Sequence, residues 1–415
     1  MKGKKKSLLL VLCMSASMGV IAGPWIAPQD PMLRANLQVL AEQGLVKGAV
    51  NTFPLRWAEF EADLNTIDKR QLDASAALAY RYVKHVYDNA RQGQFSTQFK
   101  SHYASVATSS QGFASTERGL WSTAVSSETM SDNLAYKIGV GYLKDHQGDK
   151  KVVIDGSYFA YAIKGWQFKL SAEEAWWGNG WANSATISQN SRPLPTAGVR
   201  YQVNPNYTHL GFEANIAQLD NQEDSYLATA RMNGRISFIE YAASYLYLSE
   251  VAKHHRDSDQ KYQDAVSVDL KAYMPAVYGI TGALYGNVTS IERSDGRESR
   301  LAGADAQFML FDAAIRVFAE RYKSDGDPFE IIHDGLLVND QQSNYAAGAF
   351  IMLPWDHQLR LRASHYDSTE ERNAIREGSA QYLLPAFSGM LNIEAFKEAQ
   401  GKSEWGAKMS WDYRF

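Results

Sequence analysis

The chain has 415 residues, 45% hydrophobic and 21% charged, with a net charge of -4 and a mean hydropathy of -0.36. It is too polar for a bundle of membrane helices, which needs repeated apolar runs of about 20 residues. A single Cys and 11 Pro exclude a disulfide scaffold and a collagen, and 23 Tyr, 17 Phe and 10 Trp exclude a disordered polar chain.

Residues 1–22 read as a secretory signal peptide. Lys2, Lys4, Lys5 and Lys6 form the basic region, 8–22 the apolar run, and Ala22 the small residue before cleavage. The run is too short to span a bilayer comfortably as an uncleaved anchor. Cys13 follows Leu12 inside it, which argues against a lipid-modified anchor. Cleavage removes four of the 42 basic residues and no acidic one, leaving 38 against 46. An acidic exported chain is a poor nucleic-acid partner.

Residues 23–93 predict a small bundle of three helices. Asp30 caps the first, with Pro31 at its first position, Leu33, Leu37 and Leu40 on one face and Gly44 at its end. Pro54 starts the second, with Trp57, Phe60 and Leu64 at helical spacing. Leu72, Ala76, Ala79, Val83 and Tyr87 stripe a third, which stops before Gly93. Preceding the first strand, the bundle is expected on the periplasmic side, against a barrel mouth.

From residue 94 the period changes to two. Leu134, Tyr136, Ile138, Val140 and Tyr142 alternate with small or polar residues. Trp166, Phe168 and Leu170 alternate with Gln167, Lys169 and Ser171, and Leu359, Leu361 and Ala363 with Arg360 and Arg362. At the end of the chain Trp405, Ala407, Met409, Trp411, Tyr413 and Phe415 share one face. Stretches of about ten residues with one apolar face predict an all-β transmembrane barrel over 94–415. The terminal aromatic strand implies outer-membrane lipid and the barrel-assembly machinery as partners. Short links near Asp132-Asn133, Lys164-Gly165, Asn204-Pro205-Asn206, Asn233-Gly234, Pro275-Ala276 and Pro354-Trp355 alternate with longer polar stretches such as 108–116, 175–195 and 324–343. Threading strands through them gives about 18 antiparallel strands, with Asn233-Gly234 the sharpest turn signal.

The start Pro24-Trp25-Ile26-Ala27-Pro28, the helix end Glu42-Gln43-Gly44, Thr52-Phe53-Pro54-Leu55 and the segment Glu174-Ala175-Trp176-Trp177-Gly178-Asn179-Gly180-Trp181 resemble the capsule-assembly (Wzi) family. With the terminal-Phe strand, the likeness spans the mature chain. It implies an outer-membrane barrel with a periplasmic helical part, acting as a lectin that holds capsular polysaccharide at the cell surface.

The residues themselves point to one loop. Trp176, Trp177 and Trp181 accompany Asn179, Asn183, Gln189, Asn190 and Arg192. Sugar rings offer an apolar face for indole and hydroxyls for amides and guanidinium groups. Trp176, Trp177, Asn179, Trp181, Asn183 and Arg192 are therefore the candidate glycan-binding residues. The competing reading is a plug, in which the loop aromatics fold inward and Gly178 and Gly180 serve only a turn. Inward-facing Lys169, Glu173, Glu213, Arg316, Glu320, Arg360, Arg362, Lys408, Asp412 and Arg414 either neutralise one another or line a wet channel. His254-His255-Arg256-Asp257-Ser258-Asp259 and Asp325-Gly326-Asp327 match no ordered metal-ligand spacing. No nucleotide-binding or hydrolytic signature is present. The expectation is a monomeric, non-enzymatic polysaccharide-binding barrel without cofactor or metal. A porin-type diffusion channel is the alternative, and an outer-membrane hydrolase a distant third.

Overall fold

The computed structural model describes residues 25–91, 96–107, 112–114, 119–131, 133–145, 148–203, 209–219, 225–249, 262–292, 298–324, 332–333, 336–337, 343–367, 374–400 and 402–415. The expected signal peptide, the Asn204-Pro205-Asn206 turn and the 254–259 and 325–327 acidic or histidine-bearing tips lie outside them.

Eighteen antiparallel strands close into one barrel. They are β1 Ser96–Ala104, β2 Trp121–Met130, β3 Leu134–Lys144, β4 in two pieces (Lys150–Val153 and Tyr158–Ile163), β5 Trp166–Ser171 and β6 Thr196–Val203. Next come β7 His209–Gln218, β8 Tyr226–Ile236, β9 Ile239–Ser249, β10 Tyr262–Val277, β11 Ile280–Glu292 and β12 Glu298–Leu310. The last are β13 Ala313–Ser324, β14 Asn344–Met352, β15 Gln358–Tyr366, β16 Ile375–Ala386, β17 Gly389–Gln400 and β18 Lys402–Arg414. β18 pairs with β1 from Lys408 opposite Ala104 to Arg414 opposite Gln98, which closes the ring. Phe415 and Thr97 extend that ladder by exchanging both backbone hydrogen bonds at 2.9 Å.

The alternation predicts which way each strand faces. Ile138, Val140, Phe168, Leu170, Phe212, Leu270, Ile393, Trp405 and Met409 all point outward and are exposed. A monomeric soluble protein does not leave such a belt in water; lipid is its solvent. No helix among the described residues is long and apolar enough to cross a membrane.

Two expected turns are strand interior instead. Asn233-Gly234 lies within β8, with Asn233 buried toward the lumen. The chain reverses at Ser237-Phe238, where Ser237 has φ 55°. A Cβ on Gly234 would stand 2.7 Å from the Tyr241 hydroxyl, so this glycine makes room for a neighbouring ring rather than for a turn. Pro275-Ala276 sits where β10 shifts register against β11, a bulge that tolerates proline. The reversal comes later, at Tyr278-Gly279 (φ 51° and 77°). Phe311 and Phe387 take the same left-handed conformation at their turns. Aromatics are poor turn formers, so residue type gave no cue there.

The N-terminal part holds three helices, α1 Pro31–Glu42, α2 Glu61–Thr66 and α3 Ala74–Arg91. Asp30 Oδ1 caps α1 by accepting from the backbone N–H of Met32 (2.8 Å) and Leu33 (3.1 Å), and Gly44 follows it at φ 71°. Pro54 precedes a short strand and a 3-10 turn rather than opening α2. Ala76, Ala79, Val83 and Tyr87 of α3 pack on the core, as their spacing predicts. The placement of α1 differs from the expectation of a bundle against the mouth. All twelve of its residues are buried, and its polar face meets the inner wall of the barrel. The apolar stripe hid this, because Arg34, Asn36, Gln38 and Glu42 look like a solvated face in sequence.

Leu270 is outward and half exposed near the middle of the longest strand. Leu270→Arg should cost about 2–4 kcal/mol on folding into lipid vesicles. The buried Ser267 three residues away faces the lumen, and the contrast between Leu270→Arg and Leu270→Met in urea titrations checks the assignment of faces.

Candidate functional site

The segment between β5 and β6, residues 172–195, turns inward and meets α1 inside the barrel. Trp176 and Trp177 pair antiparallel with Phe53 and Thr52, forming a two-stranded ladder within the lumen. Trp25 and Ile26 pair likewise with Arg56 and Leu55.

Two carboxylates on adjacent strands hold this plug. Glu320 of β13 accepts from three consecutive backbone N–H groups of the loop: Trp181, Ala182 (3.1 Å) and Asn183 (3.2 Å). It also accepts from Asn183 Nδ2 at 3.2 Å and the Tyr285 hydroxyl at 2.8 Å. Asp305 of β12 accepts from Gln38 Nε2 of α1 (2.7 Å), Trp181 Nε1 (3.0 Å) and Arg316 Nη1 (2.6 Å). Arg316 in turn bonds Glu42 of α1 at 3.0 and 3.1 Å. Arg34 closes the arrangement from the helix side. Its guanidinium donates to the carbonyls of Gly180 (2.8 Å) and Asn179 (2.7 Å) and stands 4.0 Å from the Trp181 ring centroid. Burial pulls Arg34 down to about 10, while Tyr285, Glu320, Asp305 and Glu240 hold it up, so it stays cationic at neutral pH.

This places the sequence-predicted residues. Trp176, Trp177, Trp181, Asn179 and Asn183 come together, all buried, and Trp181 is walled by Phe113, Phe318 and Phe350. They pack the plug and present no ring face to solvent. Gly180 serves the loop's own turn, since a Cβ there would stand 2.2 Å from the Asn183 carbonyl oxygen. Arg192 is separate and partly exposed. It makes a two-point pair with Asp155, Nε to Oδ2 at 3.0 Å and Nη2 to Oδ1 at 2.8 Å. The inward wall charges also pair, as Lys169 with Glu213 (2.7 Å), Arg200 with Glu59 (2.7 Å) and Lys408 with Glu394 (3.8 Å) show.

Beside the plug a polar cavity of about 220 Å³ remains, lined among others by Lys100, Lys137, Asp155, Glu173, Asn190 and Arg192. Glu173 Oε1 accepts from Trp25 Nε1 at 2.5 Å, while its buried Oε2 has no hydrogen-bond partner. Burial pushes this carboxyl up to about 8, against the pull of the Trp25 bond, Lys169 and Lys137. Sequence reasoning missed Glu173, Lys137 and Asp155 as cavity residues. They come from three separate segments, and only the closed barrel brings them together. The one signal was the inward position of Glu173.

The solved barrel of Wzi from Escherichia coli superimposes with a TM-score of 0.81 at 14% identity, covering 96% of this chain and 100% of that one. The fold is that of Wzi. That protein is described as an outer-membrane protein involved in group 1 capsule assembly and as a carbohydrate-binding β-barrel. Residues 89–214 also match the sequence model of the capsule assembly protein Wzi family, so the likeness to Wzi is carried by sequence as well as by fold. OccAB3 of Acinetobacter baumannii is similar at a TM-score of 0.50 and 9% identity, over 77% of this chain and 98% of that one. No curated protein sequence matches the chain.

Removing the Glu320 carboxylate leaves several buried donors unpaired, each costing about 1–3 kcal/mol. Glu320→Ala should therefore speed amide exchange at Trp181–Asn183 by at least about 100-fold and produce transient conductance steps in planar bilayers. Glu320→Gln, which keeps an acceptor, should fall between. For Glu173 the folded state keeps its proton where the unfolded chain has lost it. Stability should thus decline as pH rises from the ordinary carboxylate range towards about 8 and level off above it. Glu173→Gln should flatten that slope, as read by urea titration across pH.

Proposed function

We propose that this protein binds capsular or extracellular polysaccharide at the outer surface of the outer membrane and organises it there, by binding rather than by catalysis. The observation that carries the reading is a barrel filled by α1 and the 172–195 loop, which nonetheless keeps a cavity of hydroxyl-compatible side chains beside the plug. Carbohydrate binding by a protein of this fold supports it. In this reading the long connections face outward, α2 and α3 face the periplasm as part of a helical region over 23–93, and 1–22 is removed on export. Lipid and the barrel-assembly machinery are its other partners, and it acts as a monomer.

A saccharide needs donors and acceptors set around a ring rather than one strong charge. Lys100, Lys137 and Arg192 supply donors, Asn190 both kinds, and Glu173 a carboxyl whose Oε2 has no hydrogen-bond partner. Each such site is weak, but one polymer offers many repeats to many copies of the protein, and avidity does the holding. Trp177 and Trp181 contribute through the plug that shapes this cavity. A porin-type channel needs a continuous wet lumen, and the plug stands across it.

Purified protein should bind the host's own polysaccharide. Arg192→Ala should weaken binding by about 10–100-fold through loss of a charged hydrogen-bond donor. Deleting the gene should leave polymer synthesised but shed. Unaltered surface polymer in the deletion strain, or steady single-channel conductance without polymer binding, would overturn the reading in favour of a channel.

A further inference from the structure

The wall of the barrel is interrupted between β3 and β5. β3 pairs with the two pieces of β4 separately: Gly141–Lys144 with Lys150–Val153, and Leu134–Lys137 with Tyr158–Tyr161. Between the pieces, 154–157 leaves the ladder, and the Gly139 N–H donates to the Ser157 hydroxyl (2.9 Å) instead. On its far side, no strand among the described residues pairs with the backbone of 150–153. β5, which would be its neighbour, ends at Ser171, opposite Tyr158 on one side and Thr196 on the other. Beyond Ser171 the chain makes one more exchange, Ala172 with Gly156 and Ser157, and then turns into the lumen.

The two sides of this break differ in chemistry. Outside, in the lipid-facing belt, lies an open hollow of about 710 Å³ bordered by Ile154, Phe159, Leu170, Ala197, Ile216 and Tyr226. Inside lies the polar cavity. Lys137 borders both. Asp155 from the break and Arg192 from the plug loop form their ion pair on the cavity side. Glu173, just past the end of β5, carries the buried Oε2 without a partner. β5 is short, ending at Ser171, and the Glu173 carboxyl oxygen beside the gap is buried without a hydrogen-bond partner.

We propose that this break is a lateral port that holds a lipid-anchored saccharide from the outer leaflet. Its sugar head enters the polar cavity, where a hydroxyl hydrogen-bonds the Glu173 carboxyl at Oε2 and Lys137 and Arg192 contact head-group oxygens. Its acyl chains stay in the hollow, which continues the lipid-facing surface of β4, β5 and β7. The port rests on the glycan reading only for the class of head group and for which leaflet it faces. It adds that the ligand is recognised by an end carrying a lipid, and that it arrives sideways from the membrane rather than from the medium. Lipid with no sugar head lacks the hydroxyl that Glu173 requires, and free sugar lacks the tail that fills the hollow.

The test uses the full-length protein in lipid nanodiscs containing either Kdo2-lipid A or phosphatidylcholine, whose head group carries no hydroxyl, exchanged into detergent and analysed by native mass spectrometry. Wild type should retain one Kdo2-lipid A and release phosphatidylcholine. Glu173→Ala should reduce that retention at least about tenfold, the weight of one buried hydrogen bond to a charged or strongly polar partner. Ala197→Trp and Ile216→Trp, which fill the hollow from lipid-facing positions that tolerate bulk, should do the same while leaving the plug intact by amide exchange. Equal retention of the two lipids by wild type, or full retention by both tryptophan variants, would overturn the port. Binding of tail-free host polysaccharide, measured on the same preparations, separates the two claims. Its absence with retained glycolipid sinks the polymer-holding function and leaves the port, and the reverse result does the opposite.

Discussion

The structure depends on the placement of two carboxylates, Asp305 and Glu320, on the inner faces of neighbouring strands. A loop folded inside a barrel has no water to satisfy its backbone, and a helix inside one has no solvent for its polar face. Glu320 gathers three successive loop N–H groups, and Asp305 gathers a helix amide, an indole N–H and a guanidinium. Without them the 172–195 loop would have to leave the lumen to be hydrated. Arg316 and Lys271 then balance the charge, with Arg316 reaching on to Glu42. Buried ion pairs of this kind gain little over an apolar core in net stability, but they allow one arrangement only, because each misplacement leaves a charge uncompensated. The plug is therefore specified more than it is strengthened.

That specification reaches the rest of the barrel through register. Side chains alternate with period two, so a one-residue slip of β12 or β13 would turn Asp305 or Glu320 into lipid and Ala304 or Ala319 into the lumen. The same parity fixes the outer belt. The cost of a carboxylate in hydrocarbon and the gain from the plug thus select the same pairing, and the closure of β18 on β1 has one consistent solution. Outward apolar residues and inward charges are two records of one constraint.

Much of this was legible in the sequence. The barrel, about 18 strands, the cap at Asp30 and the α3 stripe follow from periodicity and local chemistry, which act within a few residues. The turns were less legible. Asn-Gly marks a hairpin in most chains, yet Asn233-Gly234 lies in β8 because Gly234 accommodates the Tyr241 ring, a contact between strands. Tyr278, Phe311 and Phe387 occupy left-handed turn positions without any of the usual residues. For the site, the Trp-rich loop was found, but whether its rings face solvent or each other depends on Arg34, Phe113, Phe318 and Phe350, which arrive from elsewhere. Arg34 itself was invisible, since a cation on the polar face of an amphipathic helix is ordinarily solvated. The break at 154–157 left no sequence mark beyond the early inward turn of the chain after Ser171.

A rigid plug also bears on how weak contacts can hold a polymer. A flexible loop pays ordering entropy at every binding event, and a saccharide with few strong contacts cannot repay it. Here the residues beside the cavity are fixed before any ligand arrives: Arg192 by Asp155, Glu173 by Trp25, and the loop between them by Glu320. In the proposed reading each copy then keeps most of the small binding energy it makes. Avidity multiplies that remainder along the chain, where a mobile site would multiply a term near zero. The buried carboxylates Asp305 and Glu320 are in this sense what makes a modest site sufficient.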